Sequence, residues 1–423
     1  MNLTMDQQNA ADQFLKFMLD DSQGELIISG FAGVGKSTLT EHILATVDNQ
    51  LKMLSVIMGL DDESMETYVT ATTNKAAQVI AQMAGTTPQT IHSLLGLRVV
   101  NDYRTGDTKL EKTGDHRIFH KCLIIIDEAS FVDSRLLGFI KSSTNKCKVV
   151  YIGDPYQLAP TFEKNPPVFE MDVPETRLTE VIRNEGNIQL LSAQFRNSVE
   201  TGEFAPIVTG GNVEHVDGPT FQRMVNQEFT VVGREDNSAK ILAWSNARVH
   251  QYNGYVRELN GLGAVLEVGE RVITNKPVIT KSGGLHTDAH ATVTSVDEQT
   301  LRYNIPGRYV KLNGHYSIFC PDNQDLVKRS LRQYAKDKDW STYFDIKENF
   351  ADLRPLHACT VHKSQGSTYR TVFMDLSDIG RCNVPSDLAR MMYVGLSRAA
   401  DKVVLYGDLP AKYGGIQCQK LAS

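Results

Sequence analysis

The chain of 423 residues is 41% apolar and 22% charged, the balance of an ordinary globular protein of two or three domains. Its net charge of −6 excludes a broadly basic surface that attracts nucleic acid at long range, but it leaves room for a local groove. There is no apolar run long enough for a membrane span, no secretion-signal pattern near residue 1, and no Cys-x-x-Cys pair among the six cysteines. We therefore expect a cytoplasmic protein with reduced thiols, without a membrane partner, disulfide or structural zinc.

The stretch from about 25 to 160 alternates apolar strands with helical segments. Residues 25–30 (ELIISG), 122–127 (CLIIID) and 148–153 (KVVYIG) have the β-branched, apolar composition of buried strands, whereas residues 36–47 have helical spacing. Buried strands separated by helices indicate a parallel sheet that is covered on both faces. The sequence therefore predicts an α/β fold.

The rest of the chain contains a polar segment inside the first α/β pattern, a second α/β pattern, and a β-rich segment that interrupts the second pattern. Residues 97–118 are polar and contain glycine, so they are predicted to form a small protruding hairpin. A second α/β signal includes helices near 186–200 and 246–260. Between its parts, residues 263 to about 320 alternate apolar and polar positions between turn residues, which is typical of a small β-barrel, and residues 324–352 return to helical spacing.

A glycine-rich stretch at residues 30–37 (GFAGVGKS) fits the pattern G-x-x-x-x-G-K-[ST] between a predicted strand and a predicted helix. In this pattern, glycines let backbone N–H groups face phosphates, and the helix N-terminus favours negative charge. We expect Lys36 to reach the β- and γ-phosphates of a nucleoside triphosphate and the Ser37 hydroxyl to bind Mg²⁺. The predicted nucleotide-binding residues are Gly30, Gly33, Gly35, Lys36, Ser37 and Thr38. The alternative is a simple glycine-rich turn.

Polar residues follow the next two predicted strands. Asp127 and Glu128 end a buried strand, so Asp127 is predicted to hold Mg²⁺ and Glu128 to act as general base for an attacking water. Gln157, in YIGDPYQLAP, can contact the γ-phosphate or that water. The alternatives are a solvated strand end for the acids and a polar Asp-Pro turn for Gln157.

Two arginines in the later part of the chain are candidates for a cation that closes on the γ-phosphate. Arg398 lies in a strongly helical stretch (MMYVGLSRAADK), and Arg183 lies at the junction of the two α/β halves. An arginine supplied from a second lobe accelerates phosphoryl transfer by about 10³ to 10⁵. Taken singly, an arginine of either kind is more often a surface residue or a salt-bridge partner than a catalytic group.

The order of the motifs resembles that of superfamily 1 helicases, and more closely the phage Dda-type branch of the RecD-like group. Besides the segments above, the resemblance rests on residues 3–11 (LTMDQQNAA), 69–77 (VTATTNKAA), 90–96 (TIHSLLG), 178–183 (LTEVIR), 359–368 (CTVHKSQGST) and 393–399 (YVGLSRA). It covers nearly the whole chain. It implies an ATP- and Mg²⁺-dependent DNA helicase with two RecA-like motor domains, an inserted hairpin wedge and an inserted SH3-like barrel.

The resemblance also implies boundaries and roles. The first motor domain would comprise residues 1–96 and 119–183, the hairpin 97–118, the second motor domain 184–262 and 355–423, and the barrel with its helical extension 263–354. Gln7 would contact adenine through its amide, Arg183 would contact the γ-phosphate, and Gln157 would couple nucleotide to DNA. Arg398 would be the arginine finger of the second lobe.

DNA contacts are expected from short polar donors in the family's DNA-facing motifs, which are Thr72, Asn74, His92, Thr360 and His362. Many relatives have Pro-Thr where this chain has Thr72-Thr73, so the sequence departs from the usual pattern at the position of Thr72. Tyr103, near the hairpin tip, is predicted to stack on a base at the fork, the alternative being an exposed tyrosine in a turn. His357, Cys359 and His362 lack a fourth metal ligand nearby, so a metal site is not expected.

The implied partners are single-stranded DNA and DNA forks, with a single-strand-binding protein or other replication or recombination proteins as further candidates. The resemblance implies a monomer that moves 5′-to-3′ in phage DNA replication or recombination. Two alternatives remain open. One is a translocase that displaces bound proteins without unwinding well, and the other is a nucleotide-switched binding subunit of a larger complex.

Overall fold

The computed structural model describes residues 3–58, 65–161, 163–182, 186–230, 238–280 and 283–417. The N-terminal elements are α1 Met5–Leu19, β1 Glu25–Gly30, α2 Lys36–Met58, β2 Glu66–Ala71, α3 Asn74–Ala84, α4 Ile91–Leu94, β3 Leu97–Asn101, β4 Thr108–Lys112, β5 Phe119–His120, β6 Cys122–Asp127, α5 Ser134–Ser143, β7 Thr144–Asn145, β8 Lys148–Gly153 and β9 Glu175–Leu178.

The following elements are α6 Gly186–Thr201, β10 Ile207–Val208, β11 Val213–Val216, α7 Gly218–Phe229, β12 Ala239–Ala243, α8 Asn246–Leu259, β13 Arg271–Thr274, β14 Val278–Thr280, β15 Gly283–Leu285, β16 His290–Val296, β17 Thr300–Arg302, β18 Ile305–Leu312 and β19 Tyr316–Pro321. The last elements are α9 Gln324–Lys336, α10 Trp340–Asn349, β20 Leu353–Pro355, β21 Ala358–Thr360, β22 Tyr369–Asp375, α11 Leu376–Ile379, α12 Pro385–Ser397, β23 Ala399–Tyr406 and β24 Ile416–Gln417.

The first parallel sheet has the strand order β2-β6-β8-β1-β9. Alternate residues of its strands enter two different cores, because successive side chains of a strand point to opposite faces. Ile124 and Ile126 pack in a core with α4 and α5, whereas Leu123 and Ile125 pack in a core with α1 and α2. Both faces are therefore covered, as the apolar strands predict. We call this sheet and its helices, residues 3–182, the first unit.

The second parallel sheet, in the order β11-β23-β22-β12-β21, repeats this architecture. Leu242 faces a core with α6 and α12, and the adjacent Ile241 faces a core with α7 and α8. Strand β12 ends at Ala243 and β21 begins at Ala358, and between them the chain forms α8 and then leaves the sheet for residues 263–354. We call this sheet and its helices, residues 186–262 and 355–417, the second unit.

The segment between the two parts of the second unit forms a six-stranded antiparallel sheet with the order β17-β18-β16-β13-β20, in which β19 pairs with β18. Helices α9 and α10 pack beside it, and Phe319 and Phe350 lie in their shared core with rings 4.6 Å apart. A buried ion pair joins this segment to the second unit, because Arg257 of α8 donates two hydrogen bonds to Glu270, at 2.9 and 2.8 Å. We call residues 263–354 the inserted unit.

Strands β3 and β4 form an antiparallel hairpin whose register runs from Leu97 opposite Lys112 to Asn101 opposite Thr108. The turn between them contacts the inserted unit. The ring of Tyr103 lies 4.9 Å from that of Phe344, and Gly106 sits so close to the Trp340 ring that an added Cβ would lie 2.4 Å from it. The hairpin is therefore attached to the first unit at its base and to α10 at its turn.

The mixed α/β class with parallel sheets is confirmed. Helices α1 and α7 and strands β9 and β11 were not predicted from the sequence. The paired part of the hairpin ends at Lys112, inside the predicted range of 97–118. Arg183 lies outside the described residues.

Candidate functional site

The phosphate loop, residues 30–37, connects the end of β1 to the start of α2. Gly33 and Gly35 have φ of 84° and 75°, in the left-handed region that favours glycine. The Nζ of Lys36 donates hydrogen bonds to the carbonyl oxygens of Gly30 and Phe31, at 2.8 and 2.9 Å. The loop thus wraps around the lysine ammonium, in the position where the sequence predicts a phosphate.

The acid pair lies at the end of β6, beside this loop. Burial, together with the neighbouring Glu128 charge, raises the pKa of Asp127 to about 7, and the Lys36 charge opposes the shift. Glu128 has a φ of 52°, uncommon for a residue with a Cβ, and its buried Oε2 has no hydrogen-bond partner in the described part of the chain. A buried carboxylate oxygen without a donor is available to a ligand or a water.

The donor set suits Mg²⁺. Ser37 and Thr38 lie in the first turn of α2, and the Lys36 charge acts on Asp127, so the hydroxyl-bearing turn and the carboxyl group are neighbours. Hydroxyl and carboxylate oxygens are the ligands that Mg²⁺ prefers. A cation here would also favour the ionised form of Asp127.

Gln7 is 1% exposed and is bonded to the phosphate loop. Its Nε2 donates to the carbonyl oxygens of Val34 and Gly35, at 3.0 and 3.3 Å, and its Oε1 accepts from the Thr4 N–H at 3.0 Å. The amide predicted to contact adenine is therefore used here to hold the loop. A contact with adenine would need at least one of these bonds to be exchanged.

Side chains of the second unit reach directly into this site. The Tyr393 hydroxyl accepts from the Ala32 N–H at 2.7 Å and donates to Asp154 Oδ2 at 2.6 Å. The Gln365 amide donates to Gln157 Oε1 at 3.1 Å, and both side chains are buried. The predicted sensor Gln157 thus contacts the second unit through a buried hydrogen bond.

Arg390 makes a further contact between the units. Its Nη1 donates to the carbonyl oxygens of Pro155 and Gln157, both at 2.6 Å, and its Nη2 donates to Asn165 Oδ1 at 2.9 Å. Burial lowers its pKa. Sequence reasoning missed Arg390, for which no motif gives a signal. It also missed Tyr393 and Gln365, although both lie inside quoted motifs.

Arg398, the predicted finger, is 4% exposed at the end of α12. Its guanidinium donates to the carbonyl oxygens of Val394 and Ser367, both at 3.3 Å, and to the Ser397 hydroxyl at 3.0 Å. All three acceptors belong to the second unit, and no acidic side chain among the described residues forms an ion pair with it. A buried cation without a counter-charge is unfavourable, so this site favours an incoming anion.

A cavity of about 390 Å³ lies between the two units and the inserted unit. Four predicted DNA contacts line it, namely Thr72, Asn74, Thr360 and His362. Lys75, Lys240, Lys363 and Arg354 also line it and give it positive charge. His92 and Tyr103 are not among its lining residues. Burial lowers the pKa of His92, which lies near Asp133, and of His362.

Thr72 connects the cavity to the acid pair, because it lines the cavity and bonds to the backbone of both acids. The Thr72 hydroxyl donates to the backbone carbonyl of Glu128 at 2.9 Å, and the Thr72 N–H donates to that of Asp127 at 3.2 Å. Strands β2 and β6 are adjacent in the sheet, with Ala71 opposite Asp127, which places Thr72 beside the acids. A displacement of Thr72 in the cavity would therefore displace the backbone of the acid pair.

A loop of the inserted unit closes one side of the cavity. Asp288, which has a φ of 62°, accepts a bond from Lys363 Nζ at 2.8 Å, and His286 contacts Gln78 of the first unit, with Nε2 atoms 2.9 Å apart. The Asp288 carboxylate thus pairs with the Lys363 ammonium, a group that could otherwise bind a phosphate oxygen.

Replacing Asp288 with asparagine is expected to tighten binding of single-stranded DNA by about threefold to tenfold at low salt, because a negative charge leaves the cavity and Lys363 is released. Fluorescence anisotropy with a labelled oligonucleotide measures the change. Asp401→Asn is the matched control, since Asp401 forms an exposed ion pair with Arg370 on the surface. Weaker binding by Asp288→Asn would contradict the competition between this carboxylate and DNA phosphate.

No group of three His, Cys, Asp or Glu residues in the described part of the chain could hold a metal ion. The sulfurs of Cys122 and Cys147 lie 3.5 Å apart, at hydrogen-bond distance, and both thiols are free rather than joined in a disulfide. None of the described helices has the length and apolar character needed to span a bilayer.

Two family models match parts of the chain. A model described as an AAA domain matches residues 19–163, and one described as the UvrD-like helicase C-terminal domain matches residues 355–406. The first range contains the phosphate loop and the acid pair, and the second contains Gln365, Tyr393 and Arg398.

Among curated proteins, the chain is similar to the ATP-dependent DNA helicase dda of Enterobacteria phage T4, with 23% identity over 94% of this chain and 97% of the relative. It is also similar to the ATP-dependent RecD2 DNA helicase of Deinococcus radiodurans, with 23% identity over 93% of this chain and 48% of the relative. The solved Pif1 helicase from Bacteroides in complex with ADP-AlF3 and single-stranded DNA has a similar fold, with a TM-score of 0.53, 17% identity and coverage of 98% of this chain and 94% of that one. The resemblance to superfamily 1 helicases of the Dda type is thereby confirmed.

Proposed function

We propose that this chain, which resembles superfamily 1 helicases of the Dda type, is an ATP-dependent DNA helicase that moves along single-stranded DNA and separates duplex. The observation that carries the proposal is the double contact of Thr72 with the acid pair. It joins a cationic cavity, large enough for part of a nucleic-acid strand, to the group that would activate water.

ATP would bind at the phosphate loop between the two units. Lys36 would leave the Gly30 and Phe31 carbonyls for the β- and γ-phosphates, and the backbone N–H groups of the loop would bind phosphate oxygens. Mg²⁺, when held by Ser37 and Asp127, would neutralise charge that develops on the phosphates. Glu128 Oε2, which lacks a partner here, would accept the proton of the attacking water.

The contacts between the units would convert this chemistry into movement. Tyr393 and Gln365 contact residues that also face the nucleotide site, so a change at the γ-phosphate alters the bonds that hold the second unit. Arg398 would then turn from its backbone acceptors towards the γ-phosphate as the units close. Arg183 is proposed to contact the same phosphate, and Gln7 to contact adenine after its loop bonds exchange. Repeated closing and opening would move the strand through the cavity.

DNA phosphates would bind the hydroxyls and amides of the cavity, Thr72, Asn74 and Thr360, together with its lysines. His362 lines the cavity and His92 lies outside it, so His92 would contact DNA only beyond the cavity. We propose that residues 97–118 act as the wedge and that residues 263–354 are an SH3-like barrel with a helical extension. The two motor domains would be RecA-like and would comprise residues 1–96 with 119–183, and residues 184–262 with 355–423.

Replacing Tyr103 with alanine is expected to lower the number of base pairs separated per ATP by about tenfold if its ring stacks on a base at the fork. Quenched-flow unwinding combined with phosphate release gives this ratio. Phe344→Leu is the informative control, because it removes the ring on which Tyr103 packs and leaves Tyr103 in place. An equal loss in both variants would mean that Tyr103 anchors the hairpin, and an unchanged ratio in Tyr103→Ala would exclude both roles.

The direction of movement, 5′-to-3′, is proposed from the RecD-like resemblance. A monomer acting at forks in the host cytoplasm during phage DNA replication or recombination would fit the same resemblance. A single-strand-binding protein or other replication or recombination proteins are the proposed partners.

Strand separation on two matched duplexes, one with a 5′ single-stranded tail and one with a 3′ tail, tests the function under single-turnover conditions. We expect ATP-driven separation of the 5′-tailed duplex alone, and no separation by Lys36→Ala, whose circular dichroism and melting temperature should match the parent. Separation of the 3′-tailed duplex alone would show that the protein moves in the opposite direction, 3′-to-5′. DNA-stimulated hydrolysis without separation of either would instead indicate a translocase or a nucleotide-switched subunit.

A further inference from the structure

Arg196 of α6 stacks on the phosphate loop from the second unit. Its guanidinium carbon lies 3.5 Å from the centroid of the Phe31 ring, the shortest such cation-to-ring distance among the described residues. Phe31 immediately follows Gly30 in the loop. Helix α6 packs against α12, the helix that carries Tyr393 and ends next to Arg398. Arg196 thus connects a helix of the second unit to the loop that would hold the phosphates.

The same face of α6 makes a second contact with the site. Glu200 lies four residues after Arg196, one helical turn along, and its carboxylate accepts a hydrogen bond from the Tyr156 hydroxyl. The Tyr156 ring lies 5.6 Å from that of Phe31 at an angle of 55°. Tyr156 belongs to the segment between Asp154 and Gln157. One helix face therefore holds both the phosphate loop and the segment that carries the γ-phosphate sensor.

Phe31 supplies part of the site in which the Lys36 ammonium rests. The Phe31 carbonyl accepts one of the two hydrogen bonds from Lys36 Nζ, and the next N–H, of Ala32, donates to Tyr393. A movement of α6 relative to the first unit would therefore displace the Phe31 ring and, through its backbone, the acceptor that Lys36 must leave when nucleotide binds.

We propose that Arg196 is a positioning residue of the ATP site that acts through Phe31 and transmits movement of the second unit to the phosphate loop. The inference rests on the proposed function, because it assigns a role in ATP hydrolysis. Arg196 does not contact the nucleotide in this scheme. Its planar guanidinium covers the face of the Phe31 ring. A lysine in its place would keep the positive charge but would cover less of the ring.

The test compares Arg196→Ala, Arg196→Lys, Phe31→Leu and the double variant Arg196→Ala/Phe31→Leu. We expect Arg196→Ala to lower the DNA-stimulated kcat by about tenfold and to change KM for ATP much less, because the affected step is closure. Arg196→Lys should recover part of the loss. The double variant should be no slower than the slower single variant, since both changes remove the same stack. Melting temperatures and binding of a fluorescent ATP analogue are measured alongside.

Arg223→Ala is the matched control, because Arg223 is an exposed arginine on helix α7, which covers the opposite face of the same sheet. The inference would be overturned if the losses of kcat in the two single variants add in the double variant. It would also be overturned if Arg196→Ala has the same kcat as the parent. An equal loss of analogue binding and kcat would also overturn it, since Arg196 would then be a binding residue. If the parent itself shows no DNA-stimulated hydrolysis, the proposed function fails, which is distinguishable from a failure of the Arg196 variants alone.

Discussion

Replacing Glu128 with glutamine is expected to lower the rate of ATP hydrolysis by about 10² to 10⁴, the usual contribution of a general base, and to leave ATP affinity nearly unchanged. The amide has almost the same shape as the carboxylate but cannot take a proton from water. Glu128 is suited to this role because its Oε2 is buried without a donor and its backbone is held in the left-handed region beside Asp127.

The measurement is single-turnover phosphate release together with binding of a fluorescent ATP analogue. Glu163→Gln serves as control, because Glu163 is a partly exposed acid of the same unit whose Oε1 accepts from the Ser134 N–H, a bond that glutamine can keep. Hydrolysis by Glu128→Gln within threefold of the parent rate would assign the base to another group. A parallel loss of analogue binding would indicate that Glu128 acts on nucleotide binding.

Replacing Arg398 with alanine is expected to lower kcat by about 10³ and to change nucleotide affinity far less, as for an arginine finger. The buried guanidinium has only neutral acceptors among the described residues, and burial without a counter-charge favours an anion as its partner, which in the proposed function is the γ-phosphate. Arg398 lies five residues after Tyr393, about 140° around the helix, so a rotation of its side chain or of α12 is needed to reach the nucleotide.

Stopped-flow hydrolysis and nucleotide binding separate the two possible roles of Arg398. In one, it stabilises the transition state and affinity is preserved. In the other, it holds the Ser367 carbonyl in place, and the variant would lose thermal stability and DNA binding in proportion to activity. Arg370→Ala, which removes an exposed arginine paired with Asp401 on the same unit, controls for loss of charge alone.

The placement of residues 30–37 between β1 and α2, and of the acid pair at the end of β6, could be predicted from the sequence because both depend on neighbouring residues. Glycines with positive φ, a lysine at the helix start and two acids at a strand end are all encoded within a few positions. The alternation of two cores along β6 is likewise local, since it follows from adjacent apolar side chains. These features need no knowledge of how distant segments meet.

The contacts of Gln7, Tyr393 and Arg390 could not be predicted in the same way. Each is fixed by a partner far along the chain: Val34 for Gln7, Ala32 for Tyr393 and Pro155 for Arg390. An arginine in a helix has the same local pattern whether it is solvated or buried against a carbonyl. Tyr103 shows the same limit, because only the folded chain reveals that Phe344 lies beside it.

The hairpin of β3 and β4 is held at both ends, by the first unit at its base, where Leu97 packs in the core, and by α10 at its turn. A strand pair that is fixed only at its base bends easily when a force acts on its turn, whereas a strand pair that is fixed at both ends resists bending. Any force pressed against the turn is therefore shared with the inserted unit, and through the Arg257 and Glu270 pair it reaches α8. The stiffness of this tip thus depends on residues more than two hundred positions away.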